Sequence, residues 1–236
     1  MGRPPYSTIL LDLDHTLFDT DASEVLAFEA TLLAAGVADP GSFLGEYQRI
    51  NRALWAAVER HEITPGDVRL ARFEQFVAVT GLALDPCVLA DAFVIGLAEH
   101  GELYEGALGV LDGLAAVASL ALVTNGLSEV QRRRIERLGI DRHFDAVIVS
   151  AEVGTSKPGT HIFDLTFAAL GRADDRTAAL MVGDSLSSDM RGGRAAGIAT
   201  CWYDPHGVGT VPEHAAGDVD HRIDALAQLL PLALGA

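Results

Sequence analysis

Ser7-Thr8-Ile9-Leu10-Leu11-Asp12-Leu13-Asp14-His15-Thr16-Leu17-Phe18-Asp19 passes from an apolar run straight into two acids. Residues 9–11 suit a strand buried on both faces of a parallel sheet. Such a strand can carry Asp12 and Asp14 only by ending there, at the lip of a crevice. Alternation sends Asp12 and Asp14 to one side and Leu13 to the other. Two carboxylates that close repel, and burial strengthens the repulsion. The pair therefore calls for a hard divalent cation, for one acid held protonated, or for both in sequence. The same spacing also occurs on solvated strand ends, so the rest of the chain must decide.

Beyond Gly101 the pattern alternates strand and helix. Residues 119–124 (Ser-Leu-Ala-Leu-Val-Thr) read as a second buried strand, 128–138 as a helix closed by Gly139, and 146–150 as a third strand. A helix follows over 158–170, a fourth strand over 179–183, a helix over 187–196 and a fifth strand over 198–202. This alternation predicts an α/β, Rossmann-like parallel sheet, whose ligands sit beyond the carboxyl ends of its strands. Each of those ends carries chemistry. The first has Asp12 and Asp14, and the second has Thr124-Asn125-Gly126, which taken alone is also an ordinary turn. The third is followed by Lys157, and the fourth by Gly183-Asp184-Ser185 with Asp189 close behind. A lone lysine is ordinarily solvated. Lys157, however, precedes Pro158, a favoured first helical residue, which places it at a helix cap where ammonium and helix N-terminus form an anion site. Asp184 and Asp189 stand roughly 140° apart on one helix. They converge only if Asp184 lies in the strand-end loop and Asp189 in the first helical turn.

Between these halves, residues 20–100 read as helices. Apolar residues recur at three- and four-residue spacing near 22–35, 41–60, 65–80 and 86–99, punctuated by Gly36, Asp39-Pro40-Gly41, Thr64-Pro65-Gly66, Gly81 and Asp85-Pro86. Four helices with short connections form a small bundle, with Tyr47, Trp55, Phe73 and Phe76 as its expected core. The expected division is a core of residues 1–17 and 102–236 and an inserted helical cap of 18–101.

Composition narrows the partners. Seventeen basic residues face 33 acidic ones in 236, a formal net charge of −16. That excess disfavours nucleic-acid polymers and anionic membranes, which need a basic face. A small phosphorylated metabolite stays compatible if a metal and one or two cations focus the field locally. Two cysteines, Cys87 and Cys201, imply no disulfide framework. Nothing near the first strand reads as a signal peptide, and no apolar run reaches membrane-spanning length, so a cytoplasmic location is expected. The sequence specifies no oligomeric state.

Asp-Leu-Asp-His-Thr-Leu at 12–17, Thr-Asn-Gly at 124–126, Ser-Lys-Pro at 156–158 and Gly-Asp-Ser-Leu-Ser-Ser-Asp at 183–189 together resemble the four ordered motifs of the haloacid dehalogenase (HAD) superfamily. The helical insertion resembles that superfamily's cap. The resemblance implies Asp12 as a nucleophile forming an aspartyl-phosphate and Asp14 as general acid and base. It also implies Mg²⁺ held by the Asp12 carboxylate, the Asp14 backbone carbonyl and Asp184, with Asp189 supporting a metal-bound water. Thr124, Asn125 and Lys157 would serve the phosphoryl group. The metal-independent dehalogenases lack the second acid, so Asp14 favours a phosphatase. The cap stretch Tyr47–Trp55, Arg72-Phe73 and the run from Gly183 to Trp202 are similar to bacterial pyrimidine 5′-nucleotidases. Sugar-phosphate and phosphoglycolate phosphatases share much of this pattern, and a phosphomutase, a dehalogenase or a non-enzymatic binding protein on the same fold are the remaining alternatives. The insertion carries Tyr47, Asn51, Trp55, Arg72 and Phe73, groups able to grip an organic leaving group, and is expected to choose the substrate.

Overall fold

A computed structural model describes residues 5–60, 62–172, 176–205, 207 and 210–235. Its centre is a six-stranded parallel sheet of β1 (Thr8–Leu11), β2 (Ser119–Thr124), β3 (Ala146–Val149), β4 (Ala179–Gly183), β5 (Ala199–Tyr203) and β6 (His221–Ile223). The spatial order is β3-β2-β1-β4-β5-β6. The acid-bearing β1 therefore lies in the middle, with Leu11 level with Leu122 on one side and Val182 on the other. The order reverses at β1, which puts the strand end with Asp12 and Asp14 at the crevice where such sheets bind ligands.

The chain divides into two compact units: residues up to Thr20 and from Glu102 onward, and Asp21–Gly101. The second unit holds α1 (Thr20–Ala34, whose first residue belongs to the other unit), α2 (Leu44–Glu59), α3 (Pro65–Thr80) and α4 (Pro86–Glu99). Its ends are set locally. Thr64 and Asp67 form a reciprocal capping box, Gly81 closes α3 at φ 68°, and the Asp85 carboxylate accepts from Cys87 N–H at the start of α4. Phe28, Tyr47, Phe73, Phe76 and Phe93 fill its core. Trp55, expected there, is instead 41% exposed. The buried stripe of α2 runs through Tyr47, Ile50 and Leu54, and the residue after Leu54 is turned about 100° away from it.

The sheet unit adds α5 (Ala107–Ala115), α6 (Ser128–Leu138), α7 (Ser150–Val153), α8 (Thr160–Ala169), α9 (Arg191–Ala195) and α10 (Leu229–Leu234). Alternation covers both sheet faces. Ile9, Leu11, Leu122 and Val182 pack with Leu111 and Leu229 on one side, and Leu10, Val123 and Met181 pack with Phe163 and Phe167 on the other. Helices α5, α7 and α10 and strand β6 were not anticipated from the sequence. The third strand stops at Val149 because Ser150 already opens α7, and the fifth is shifted one residue onward. Among the described residues no helix is long and apolar enough to cross a membrane.

Candidate active site

Asp12 follows β1 directly. Its N–H continues the ladder by donating to the Val182 carbonyl at 3.0 Å, and its carboxylate is buried, 6% exposed. Beyond β4, Asp184 sits in the strand-end loop. Its N–H donates to the Thr16 hydroxyl at 3.1 Å, and its carbonyl accepts from the Trp202 indole at 2.8 Å. Asp189 lies in a single wide turn, Leu186–Met190, of π-helical form that leads into α9. There its Oδ2 accepts from Ser185 N–H at 3.1 Å. Gly183 makes room for it, since a Cβ at that position would fall 2.1 Å from Asp189 Oδ2. The expected convergence is present: carboxylate oxygens of Asp12, Asp184 and Asp189 lie within 4.8 Å of one another.

Lys157, almost fully buried, joins this group. Its ammonium reaches Asp12 Oδ1 at 2.5 Å and Asp189 Oδ1 at 2.6 Å. It does not arrive by the expected route. The Lys157–Pro158 peptide is cis, Gly159 N–H donates to the Ser156 carbonyl, and α8 begins only at Thr160 with Gly159 as its cap. Lys157 thus projects from a tight turn ahead of the helix and is not the cap residue. Asn125 fixes that turn, accepting from Lys157 N–H at 3.0 Å and donating to the Lys157 carbonyl at 2.9 Å. The Asn125 side chain therefore serves the backbone of the lysine.

Three carboxylates against one ammonium leave an excess of negative charge in a nearly dry space. Burial pushes the Asp12 carboxyl well above the ordinary range. Lys157 opposes that rise, while Asp189, Asp184 and Asp14 add to it. Burial, then Asp189, pushes Asp184 up to about 6. Burial works against the Lys157 ammonium too, but Asp12 and Asp189 outweigh it and hold its pKa above the usual lysine value. Asp12 and Asp184 rise despite the nearby ammonium because burial, reinforced by the neighbouring carboxylates, outweighs the attraction of Lys157. An all-oxygen donor set of this charge fits a hard divalent cation, which would oppose the rise of Asp12 and Asp184.

The Asp14 carboxylate, expected among the metal ligands, is not one of the three that converge. Its Oδ1 accepts from the Thr20 hydroxyl at 2.8 Å and from Arg134 at 2.7 Å, and its Oδ2 accepts from Gln131 Nε2 at 2.5 Å. Thr124, fully buried at the end of β2, accepts from the same Gln131 nitrogen at 3.0 Å. Sequence reasoning missed Gln131 and Arg134. Their one signal was a three-residue spacing on α6, which puts both on one face, and the run Gln131-Arg132-Arg133-Arg134 hid it by reading as a solvated surface.

The family model of haloacid dehalogenase-like hydrolases matches residues 6–197. The pyrimidine 5′-nucleotidase YjjG of Escherichia coli is 35% identical over 198 residues, covering 84% of this chain and 86% of its own. The pyrimidine 5′-nucleotidase PynA of Streptococcus pneumoniae is 35% identical over 203 residues, 85% of each chain. A crystal structure of the HAD-hydrolase YfnB of Bacillus subtilis, bound to magnesium, superposes with a TM-score of 0.86 at 30% identity, covering 95% of this chain and 96% of that one. A sheet that carries its acids, hydroxyl and lysine at successive strand ends, matched by that model over most of its length, leaves one assignment: the chain belongs to the haloacid dehalogenase-like hydrolase family.

Proposed function

We propose that the protein is a Mg²⁺-dependent phosphomonoester hydrolase that works through an aspartyl-phosphate on Asp12, with nucleoside 5′-monophosphates as substrates. The observation that carries the reading is the buried Lys157, paired with both Asp12 and Asp189 inside an all-oxygen group completed by Asp184. Such a group suits a hard cation and a phosphoryl dianion together. The two pyrimidine 5′-nucleotidases among the relatives support the substrate class.

In this reading Asp12 attacks phosphorus through a carboxylate oxygen while the bond to the leaving oxygen breaks, and Asp14 delivers the proton that the alkoxide needs. Asp14 then takes a proton from the water that attacks the aspartyl-phosphate, releasing inorganic phosphate and regenerating Asp12. Lys157 and the Thr124 hydroxyl bind phosphoryl oxygens, and Asn125 holds Lys157 in place. Asp12, Asp184 and the Asp14 carbonyl would hold Mg²⁺ with Asp189 in support, and the ion would supply charge neutralisation between nucleophile and phosphate. The remaining partners follow: a small phosphorylated metabolite, no nucleic-acid polymer, no membrane, and a cytoplasmic setting.

Residues 18–101 are the proposed selector of the leaving group, since the motif residues all lie outside them. Tyr47 and Phe73 pack that unit's own core, where Arg72 donates to the Tyr47 hydroxyl at 3.1 Å, and Asn51 donates to Glu24. Of the five side chains expected to grip the leaving group, Trp55 alone is exposed, and it is the one proposed to meet a substrate. The test is a phosphate-release screen with Mg²⁺ over nucleoside monophosphates and small sugar phosphates, repeated for Asp12→Asn and Trp55→Ala. Highest kcat/KM on nucleoside monophosphates, no phosphoenzyme in Asp12→Asn and altered preference in Trp55→Ala are expected. Highest kcat/KM on a sugar phosphate overturns the substrate class, and a phosphoryl group trapped on another residue overturns the mechanism.

A further inference from the structure

Helix α6 belongs to none of the four motifs, yet one of its faces supplies two of the three side chains that donate to Asp14 among the described residues. Gln131 and Arg134 are one turn apart and are 2% and 3% exposed. The Arg134 guanidinium lies over the Phe18 ring, 4.4 Å from its centroid, and donates to Asp14 Oδ1. Stacking removes one of the two faces through which a guanidinium could swing, so its donors keep a fixed direction. Gln131 Nε2 donates to Asp14 Oδ2 and also to Thr124 Oγ1. The other amide atom, Gln131 Oε1, is buried with no partner among the described residues. Turning the amide over would set that oxygen against the Asp14 carboxylate, so Asp14 fixes which way it faces. Space for it is guarded by Gly126, where a Cβ would stand 2.7 Å from Gln131 Nε2.

We infer that Gln131 and Arg134 are positioning residues for Asp14, aiming its carboxyl at the leaving oxygen, and that Gln131 locks this aim to the Thr124 hydroxyl that binds the phosphoryl group. The inference rests on the reading of Asp14 as general acid and base. A group that transfers a proton must be held within hydrogen-bond reach of one oxygen, and a misplacement of about 1 Å is enough to cost about a hundredfold. The Thr20 hydroxyl alone would fix only one of the two carboxylate oxygens.

The experiment compares kcat/KM, which reports steps through phosphorylation of Asp12, on a nucleoside monophosphate and on dinitrophenyl phosphate. The first has an alkoxide leaving group that needs a proton, and the second has one that does not. Arg134→Met should lose about 10- to 100-fold on the nucleotide and less than about threefold on the aryl ester, and Gln131→Met, which also frees Thr124, should lose at least several-fold more on the nucleotide than on the aryl ester. Arg134→Lys should recover part of the loss, and Arg134→Met added to Asp14→Asn should cause no further loss on the nucleotide. Gly126→Ala, which displaces the amide without removing a polar group, should repeat the pattern and covers the case that Arg134→Met fails to fold. Equal losses on both esters, or additive losses with Asp14→Asn, would overturn the positioning role while leaving that of Asp14 intact. If Asp14→Asn itself shows no dependence on the leaving group, the acid–base reading falls and the inference with it.

Discussion

Gly183→Ala should be far more damaging than its single methyl suggests. The backbone there is not left-handed, so alanine can adopt it and the cost is purely steric. The added Cβ would stand 2.1 Å from Asp189 Oδ2, 2.3 Å from Cγ and 2.7 Å from Cβ. Ordinary contact begins near 3.5 Å, so either the Asp189 side chain or the end of β4 must move by more than about 1 Å. The side chain is hemmed in. Oδ2 is tied to Ser185 N–H, Oδ1 to the Lys157 ammonium, and the residue is 1% exposed. A shift of that size at a charged group in the site should lower kcat by about 100-fold or more and weaken Mg²⁺ binding by about 10- to 100-fold. Overpacking should cost about 1–3 kcal/mol of stability. Steady-state phosphate release against Mg²⁺ concentration reads the first effect, calorimetric titration of the substrate-free protein reads the second, and thermal denaturation reads the third. Gly109→Ala is the control. It lies inside α5 with open space around its Cβ, so it should stabilise by about 0.5–1 kcal/mol and leave turnover alone. Full activity and unchanged Mg²⁺ affinity in folded Gly183→Ala would mean that the position of Asp189 does not matter to the site.

Removing divalent ions with a chelator should abolish hydrolysis, and Mg²⁺ should restore it; full activity in excess chelator would point to metal-free, dehalogenase-like chemistry. Mg²⁺ at about 100 times its Kd should also stabilise the fold by about 2.7 kcal/mol, read as a rise in Tm, because it binds a group of acids that exists only in the folded chain. Cys201 is fully buried and its thiol is pushed up to about 12 by burial, while Cys87 is exposed, so a thiol reagent at neutral pH should label the native protein once, at Cys87, and the unfolded chain twice. The Arg132 hydrogen bond lowers the Glu152 carboxyl to about 2. A depressed acid contributes stability above its unfolded pKa and loses it as pH falls. The gap between wild type and Glu152→Gln, held under about 1 kcal/mol at pH 7 by solvent screening, should therefore close between about pH 4.5 and 2, and a gap that instead widens there would refute the pairing.

What the sequence made legible were features whose cause is local. Thr64 with Asp67, Asp85 and Gly81 set the ends of α3 and α4 without help from distant residues, and those ends are where the sequence places them. The fourth strand is equally plain, four apolar residues running into Gly183-Asp184. Strand β6 had no such mark. Its three residues are held by pairing with β5, and only Ile223 is buried, too few for a period of two to register.

The site divides along the same line. Asp12, Asp14 and Asp184 were legible because each closely follows a buried apolar strand and the acids fall on one edge of the sheet, and Asp189 because its spacing from Asp184 lets the two converge only from a strand-end loop and the turn after it. Lys157 was legible as a residue but not in its route, because Ser156-Lys157-Pro158 reads equally well as a helix start and as the turn it forms. Arg134 was the hardest. In Arg132-Arg133-Arg134 three identical side chains meet three different fates: Arg132 pairs with Glu152 at the surface, Arg133 with Glu136 on its own helix, and Arg134 is buried against Phe18 and Asp14. Helical geometry turns each arginine about 100° from the next, so only one of the three can face the sheet. Which one depends on where α6 starts, at Ser128 after Leu127, and just before it Asn125 clasps the Lys157 turn while Gly126 leaves no Cβ to obstruct the Gln131 amide. The second motif thus does more than supply Thr124. One turn of α6 that follows it carries Gln131 and Arg134, and through them Asp14 after β1 is tied to Thr124 at the end of β2.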